Sequence, residues 1–346
     1  MNEKAKEIRK KEILERLGKL GEGSYKHEEI AKEYESLVVS TANVIFDKEH
    51  TMGGNIWLKD VKDHIMETAK ECKLNHSEEM KSFLTAYRNL DNAMAAYRSG
   101  IWGENIAFQR LELMKQPYKL IRNIEITDKV GKTEIDGVVI TKKAIFILEI
   151  KNTKKDILIT EEGDYTTLGT YVSNEGGIKW KMGHRLDALK AVLNNVSVPK
   201  LNMVKLVVFN NEEGQIINRC SSLRTCLLSQ LPSVIEDYQG RDLYSELDMN
   251  NMARYIEKAR EEFTYTLDGN PKEFKERFAS IVATIEMART DSLLMESTSE
   301  VVDEIEPTVV EVSETTNLSK VGMVVGILSA LSAAGYAAYK FFTRNH

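Results

Sequence analysis

The sequence predicts an α/β fold whose core is a helix, an antiparallel strand meander, a second helix and a further strand. Helical regions flank that core on both sides, and a transmembrane helix follows at the C-terminus. Three observations carry this prediction. Strand-type runs rich in Ile, Val, Leu and Phe occupy residues 119–127, 133–141 and 144–151, separated only by "DKVGK" and "KK". A buried-type strand, "MVKLVVFN" at 203–210, follows a helical stretch. Apolar residues recur at three- and four-residue spacings on either side of these runs, which is helical periodicity.

The boundaries follow from these patterns: a helical region over 1–98, an α/β domain over 99–240, a second helical region over 241–295, an acidic linker over 296–319 and an anchor over 320–341. With 346 residues, 42% of them hydrophobic, the chain can bury a full core, and it is not a disordered protein. A net charge of -6 argues against a wholly basic nucleic-acid coat, although local basic patches remain compatible with it. Cys72, Cys220 and Cys226 form no CxxC pair, and the charged N-terminus has no apolar leader, so the body reads as cytosolic.

Within 1–98, "KHEEIAKEYESLVVSTANVIF", "WLKDVKDHIMETAKECKL" and "SEEMKSFLTAYRNLDNAMAAYRS" are helix patterns, and Ser77 suits the start of the third. His27, His50, His64 and His76 are scattered rather than set at ligand spacing. After Gly100 the character changes: "IWGENIAFQRLELM" reads as a separate helix, ended by Pro117.

The stretch "TEIDGVVITKKAIFILEIKN" sets charges among apolar strand residues, where each costs several kcal/mol unless paired, protonated or bound to a metal. Glu149 and Lys151, two apart, project from one strand face, and pairing with the preceding strand can bring Asp136 opposite Glu149. Glu104 on the preceding helix is the candidate third acid. Two or three carboxylates are hard oxygen ligands for Mg²⁺, with Mn²⁺ as a substitute, and a neighbouring lysine can orient a water and stabilise charge developing on phosphate. That set of groups fits phosphodiester hydrolysis.

The run "GIWGEN…EIDGVVITKKAIFILEIKN" closely resembles the NERD (nuclease-related) domain, whose pattern is a Gly-x-x-Gly-Glu helix, an Ile-Asp strand and then Glu-x-Lys-Asn. Gly100, Gly103 and Glu104 match the first block, Ile135 and Asp136 the second, and Glu149, Lys151 and Asn152 the third, within about residues 96–215. The family resembles a branch of the PD-(D/E)xK nucleases, which implies a restriction-endonuclease-like core. By this resemblance Glu104, Asp136 and Glu149 hold the metal, Lys151 positions the attacking water, and Asn152 is an auxiliary. The family's later Pro-x-x-Gln is missing: the corresponding region reads "GGIKWKMGHRLDALKAVL". There His184, Arg185 and Lys190 are candidates for phosphate contact, with His184 ranked as an auxiliary, whereas Trp180 reads as a core residue. Lys142, Lys143, Lys154 and Lys155 are expected on turns beside the site.

Beyond the strand at 203–210, "SLRTCLLSQLPSVIEDY" reads as a strand running into a helix near Pro232. The helical region after it carries an apolar stripe at Phe274, Phe278, Ile281, Ile285 and Met287. No Walker A loop, dinucleotide-binding glycine motif, nucleophile elbow or zinc-ligand cluster occurs. The linker has seven acids and no base from Glu296 to Glu314, a composition suited to a solvated tether. Val321–Tyr339 then runs 19 residues without a charge, about 28 Å as a helix and close to the thickness of a bilayer core. Gly322, Gly326, Ala330, Ala334 and Ala338 repeat every four residues, a stripe that would let two anchors dimerise. The expectation is a tail-anchored, Mg²⁺-dependent nuclease with its domain in the cytoplasm, acting on DNA before RNA. The alternative is a non-catalytic nuclease-like module for nucleic-acid binding or assembly.

Overall fold

In the computed structural model, residues 3–303 are described, apart from 47–48, 154, 168–176, 199 and 211–213. The chain divides into two units at Asp291 and Ser292, and of the second only the continuation of its entering helix is described.

Four helices come first: α1 (Glu3–Leu17), α2 (His27–Ile45), α3 (Leu58–Glu71) and α4 (Glu78–Leu111). Ser77 caps α4, its hydroxyl accepting from the Met80 N–H at 3.1 Å, as the sequence suggested. Where the sequence reads two helices parted near Gly100, α4 is one continuous helix of 34 residues, about 51 Å long. Gly100 and Gly103, the two glycines at that point, cost only about 1 kcal/mol each, which the packing on either side of them outweighs. The N-terminal half of α4 buries Met80, Phe83, Leu90 and Met94, and its C-terminal half buries Ala107, Phe108 and Leu111. It ends at Leu111, six residues before Pro117, so proline is not what stops it.

The main sheet follows: β1 (Tyr118–Thr127), β2 (Lys132–Thr141) and β3 (Ile145–Asn152), later joined by β6 (Met203–Asn210) and β8 (Arg224–Leu227). Its order is β1-β2-β3-β6-β8. The first three strands form the expected antiparallel meander, and β6 and β8 add in parallel beyond β3. The short strands β4 (Ile157–Ile159), β5 (Tyr165–Thr167) and β7 (Ile216–Asn218) form a second sheet in the order β5-β4-β7. At three residues apiece they carry too little alternation to be read from sequence.

Helix α5 (Ile178–Leu193) makes the crossover from the meander to β6, and α6 (Leu231–Glu236) and α7 (Glu246–Ala259) follow β8. One sheet face buries Val138, Ile140, Ile145 and Ile147 with Met182 and Leu189 of α5 and Met252 and Ile256 of α7. The other buries Val139, Phe146 and Leu148 with Phe108 and Leu111 of α4 and Leu231 of α6. Helix α8 (Pro271–Asp303) contributes Phe274, Phe278, Ile281 and Ile285 to a third core, shared with α1, α2, α3 and the first half of α4. The chain has no glycine or proline between Pro271 and Pro307, and the helix runs on through residues 296–303, the start of the acidic stretch.

The apolar stretch Val321–Tyr339 lies outside the described residues. Among the described residues no helix is long and apolar enough to cross a membrane.

Candidate active site

The registers of β2 and β3 pair Gly137 with Leu148, and there the ladder stops. The next residues in register are Asp136 and Glu149, so the two acids stand across from each other where the strands part. Asp136 Oδ2 accepts a 2.7 Å hydrogen bond from the Ile150 N–H, replacing the missing ladder contact with a side-chain one. The opposition of Asp136 and Glu149 expected from alternation is therefore present. Glu149 is 2% exposed and faces α5.

Lys151, on the same face of β3, places Nζ 2.5 Å from Glu149 Oε1. Glu104 reaches the group from α4. Burial, together with the nearby Asp136 and Glu134 carboxylates, pushes its carboxyl up to about 7, against the opposing pull of Arg185 and Lys151. Glu104 and Glu134 also line a cavity of about 680 Å³ whose walls include His27, Tyr97 and Tyr265. The four residues expected to form the site, Glu104, Asp136, Glu149 and Lys151, thus lie in one electrostatic neighbourhood.

Asn152 has a clear structural task. Its Nδ2 donates to Ser99 O and Ser99 Oγ, each at 2.8 Å, and its Oδ1 accepts from Asn210 Nδ2 at 2.9 Å. It ties α4 and β6 to the end of β3. Gly103 sits against it, and a Cβ at that position would lie 2.8 Å from Asn152 Cβ. This close approach of helix to strand explains a glycine directly before Glu104.

His184 is placed elsewhere. Its Nε2 lies 3.0 Å from Asp128 Oδ1 in the turn between β1 and β2, and its ring packs on Trp180 at 5.7 Å. That contact holds the Asp128 carboxyl below its ordinary range. Trp180, read from sequence as core, is 62% exposed. On α5 the buried positions fall to Ile178, Met182 and Leu189, which leaves Trp180 facing outward. Lys142 and Lys143 do not flank the acids either. They form the turn of the β2–β3 hairpin, Lys142 six residues along the chain from Asp136 and Lys143 six from Glu149, about 20 Å away. Lys143 Nζ instead donates to Tyr238 O at 3.2 Å. Lys154 lies outside the described residues.

One charged residue, Glu134, escaped the sequence reading, and a second, Arg185, was read there only as a candidate for phosphate contact and not as a partner of the acids. Glu134, two before Asp136 and so on its strand face, was detectable by the same alternation. Burial raises its carboxyl, and His27 Nε2 stands 4.0 Å from its Oε1. Arg185 enters from α5 with Nη2 3.4 Å from Asp136 Oδ1 and Nη1 in ion-pair contact with Glu149 Oε2. Nothing local in its sequence marks this pairing with the acids, because only the α5 crossover brings Arg185 to β2 and β3.

Among the described residues no three His, Cys, Asp or Glu side chains converge closely enough to hold a metal ion. The donor chemistry nevertheless fits a hard divalent cation. The acids offer oxygen ligands only, and Glu149 Oε2 is sealed from solvent, its contact there being the Arg185 ion pair. Glu104, Glu134, Asp136 and Glu149 would bring four negative charges against the two positive charges of Lys151 and Arg185.

The sheet core thus gathers Glu134, Asp136 and Glu149 with Lys151 and Arg185 where two strands diverge. Residues 99–210, 112 of the chain's 346, match the family model for NERD, the nuclease-related domain. The match spans α4 from Ser99 through β6 and takes in Glu104, Glu134, Asp136, Glu149, Lys151 and Arg185, whereas the cavity-wall residues His27, Tyr97 and Tyr265 lie outside it. No curated protein and no solved structure matches the chain.

Proposed function

We propose that the chain is a metal-dependent nuclease that hydrolyses phosphodiester bonds in nucleic acid, DNA before RNA. The observation that carries this reading is the opposition of Asp136 and Glu149 at the parting of β2 and β3, with Lys151 on Glu149, inside a nuclease-related domain.

In this reading Asp136, Glu149 and Glu104 hold Mg²⁺ or Mn²⁺. Bound there, the cation would supply Lewis acidity toward the phosphate and make a water more acidic. Lys151, anchored by Glu149, orients the water and faces the negative charge that develops on phosphate. Asn152 keeps α4, and with it Glu104, seated on β3. The segment 320–341 is proposed as a membrane anchor that leaves the nuclease domain in the cytoplasm; its small-residue stripe would serve for pairing with a second copy.

One observation favours the non-catalytic alternative: Arg185 occupies oxygens of both Asp136 and Glu149. The test incubates the full-length protein and Lys151→Ala with labelled single- and double-stranded DNA and RNA in Mg²⁺, Mn²⁺ or EDTA. The nuclease reading expects cleavage that needs metal and falls at least about a hundredfold in the variant. Binding without cleavage, equal in both proteins and indifferent to EDTA, would favour the module.

A further inference from the structure

The four oxygens of Asp136 and Glu149 divide into two pairs. Asp136 Oδ2 is held by the Ile150 N–H and Glu149 Oε1 by Lys151. These contacts come from β3 itself and fix the two carboxylates in place. The remaining oxygens, Asp136 Oδ1 and Glu149 Oε2, meet Arg185. A single guanidinium therefore spans the two strands at the oxygens left over by the local structure.

Arg185 is itself lightly held by anything else. Besides the two acids, its contact among the described residues is a long 3.9 Å one from Nη1 to the sulfur of Met182, one turn back on α5. Its side chain is 13% exposed, so a path to solvent exists. Among the described residues, moving it outward would strand no backbone carbonyl or other buried acceptor. It would leave two carboxylate oxygens facing each other across the divergence, with the full cost of unpaired buried charge. The acid pair is satisfied with Arg185 in place, with another cation in its place, or with a proton taken up by one of the carboxylates, and is strained with none of these.

We infer that Arg185 is the internal counter-ion of the acid pair, and that a divalent cation binds by replacing it on Asp136 Oδ1 and Glu149 Oε2. This rests on the metal-dependent reading above and adds a residue to it. Arg185 is a positioning residue: it keeps the two carboxylates in register and sets how tightly metal binds, because metal and guanidinium compete for the same oxygens. The competition is reciprocal, as for any two ligands of overlapping sites. The same geometry accounts for the lack of a ready three-ligand group among the described residues, since the oxygens that would complete one are turned to Arg185.

The test titrates Mn²⁺ into full-length protein previously stripped with EDTA, and measures free Mn²⁺ by electron paramagnetic resonance. Arg185→Met keeps much of the side-chain volume and removes the charge; it is expected to bind Mn²⁺ at least about tenfold more tightly than wild type, whereas Arg185→Lys, which retains a cation, stays within about threefold. A merely structural role predicts weaker or unchanged binding, and either result in a folded Arg185→Met protein would overturn the inference. Should that variant fail to fold, wild type supplies the second readout. The side-chain Nε–H resonance of Arg185, assigned by its loss in Arg185→Lys, is expected to shift on saturation with Mg²⁺; an unmoved resonance at saturation overturns the proposal. Mn²⁺ binding with no gain in Arg185→Met sinks this inference alone. No Mn²⁺ binding by any of the proteins sinks the metal-dependent reading and this inference with it.

Discussion

Asp136 accepts a 2.7 Å hydrogen bond from the backbone of Ile150, directly after the last ladder pair between β2 and β3. A side chain thus takes over from the sheet at the point where the strands separate, and the separation opens room for the acids. Asp136→Ala removes the acceptor from a buried N–H and is expected to cost about 1–3 kcal/mol in urea denaturation. Asp136→Asn retains an oxygen for that N–H and should be the milder change. If both variants were equally destabilised, the loss of charge beside Arg185 would outweigh the backbone contact.

The raised carboxyl of Glu104 makes a stability prediction with a definite sign. Its folded value of about 7 lies above the ordinary 4.5, so protonation favours the folded state. The stabilising contribution is complete below about pH 4.5 and is lost as pH rises through 7. With allowance for partial solvent access, the penalty above pH 7 is about 2 kcal/mol. In EDTA, Glu104→Gln should therefore exceed wild type in stability by that amount at pH 8 and match it near pH 4.5. Thermal melts across this range decide it, and a difference that grows toward low pH would contradict the assignment.

Two glycines three residues apart on α4 should respond in opposite ways. A Cβ on Gly103 would meet Asn152 at 2.8 Å, whereas around Gly100 there is nothing within 4 Å. Gly103→Ala must lift α4 from the end of β3 and is expected to destabilise by about 1–3 kcal/mol. Gly100→Ala gains helix propensity and should stabilise by up to about 1 kcal/mol. Denaturant midpoints of the two variants test the contrast, which vanishes if helix propensity alone governs both positions.

Asn152→Ala removes three hydrogen bonds that join α4, β3 and β6. At about 1 kcal/mol each, the expected loss is roughly 3 kcal/mol. Because Ser99 and Glu104 share α4, the variant should also bind Mn²⁺ more weakly than wild type. Unchanged metal affinity in a destabilised protein would show that Glu104 is held by other contacts.

Along the chain, the α/β core was legible because its signals are local. Alternation and short turns define β1, β2 and β3, and periodicity with a capping serine defines the start of α4. The same alternation put Glu149 and Lys151 on one face and allowed Asp136 to stand opposite, and it would have given Glu134 had it been applied to the preceding pair. The three short strands of the second sheet were not legible, because three residues carry no usable period. Trp180 was assigned to the core on residue type, but exposure depends on which side of α5 meets the sheet.

By itself, the sequence determined which residues are strand and helix in the core, which acids share a strand face, and that a small residue stands before Glu104. These follow from backbone geometry within a few residues. Tertiary structure alone decided that α4 runs unbroken from the helical bundle to the site, that Asn152 binds Ser99 and Asn210, and that Arg185 sits on the acid pair. Each of these joins segments tens of residues apart, and contacts at that distance are chosen by how the faces of the whole sheet are filled.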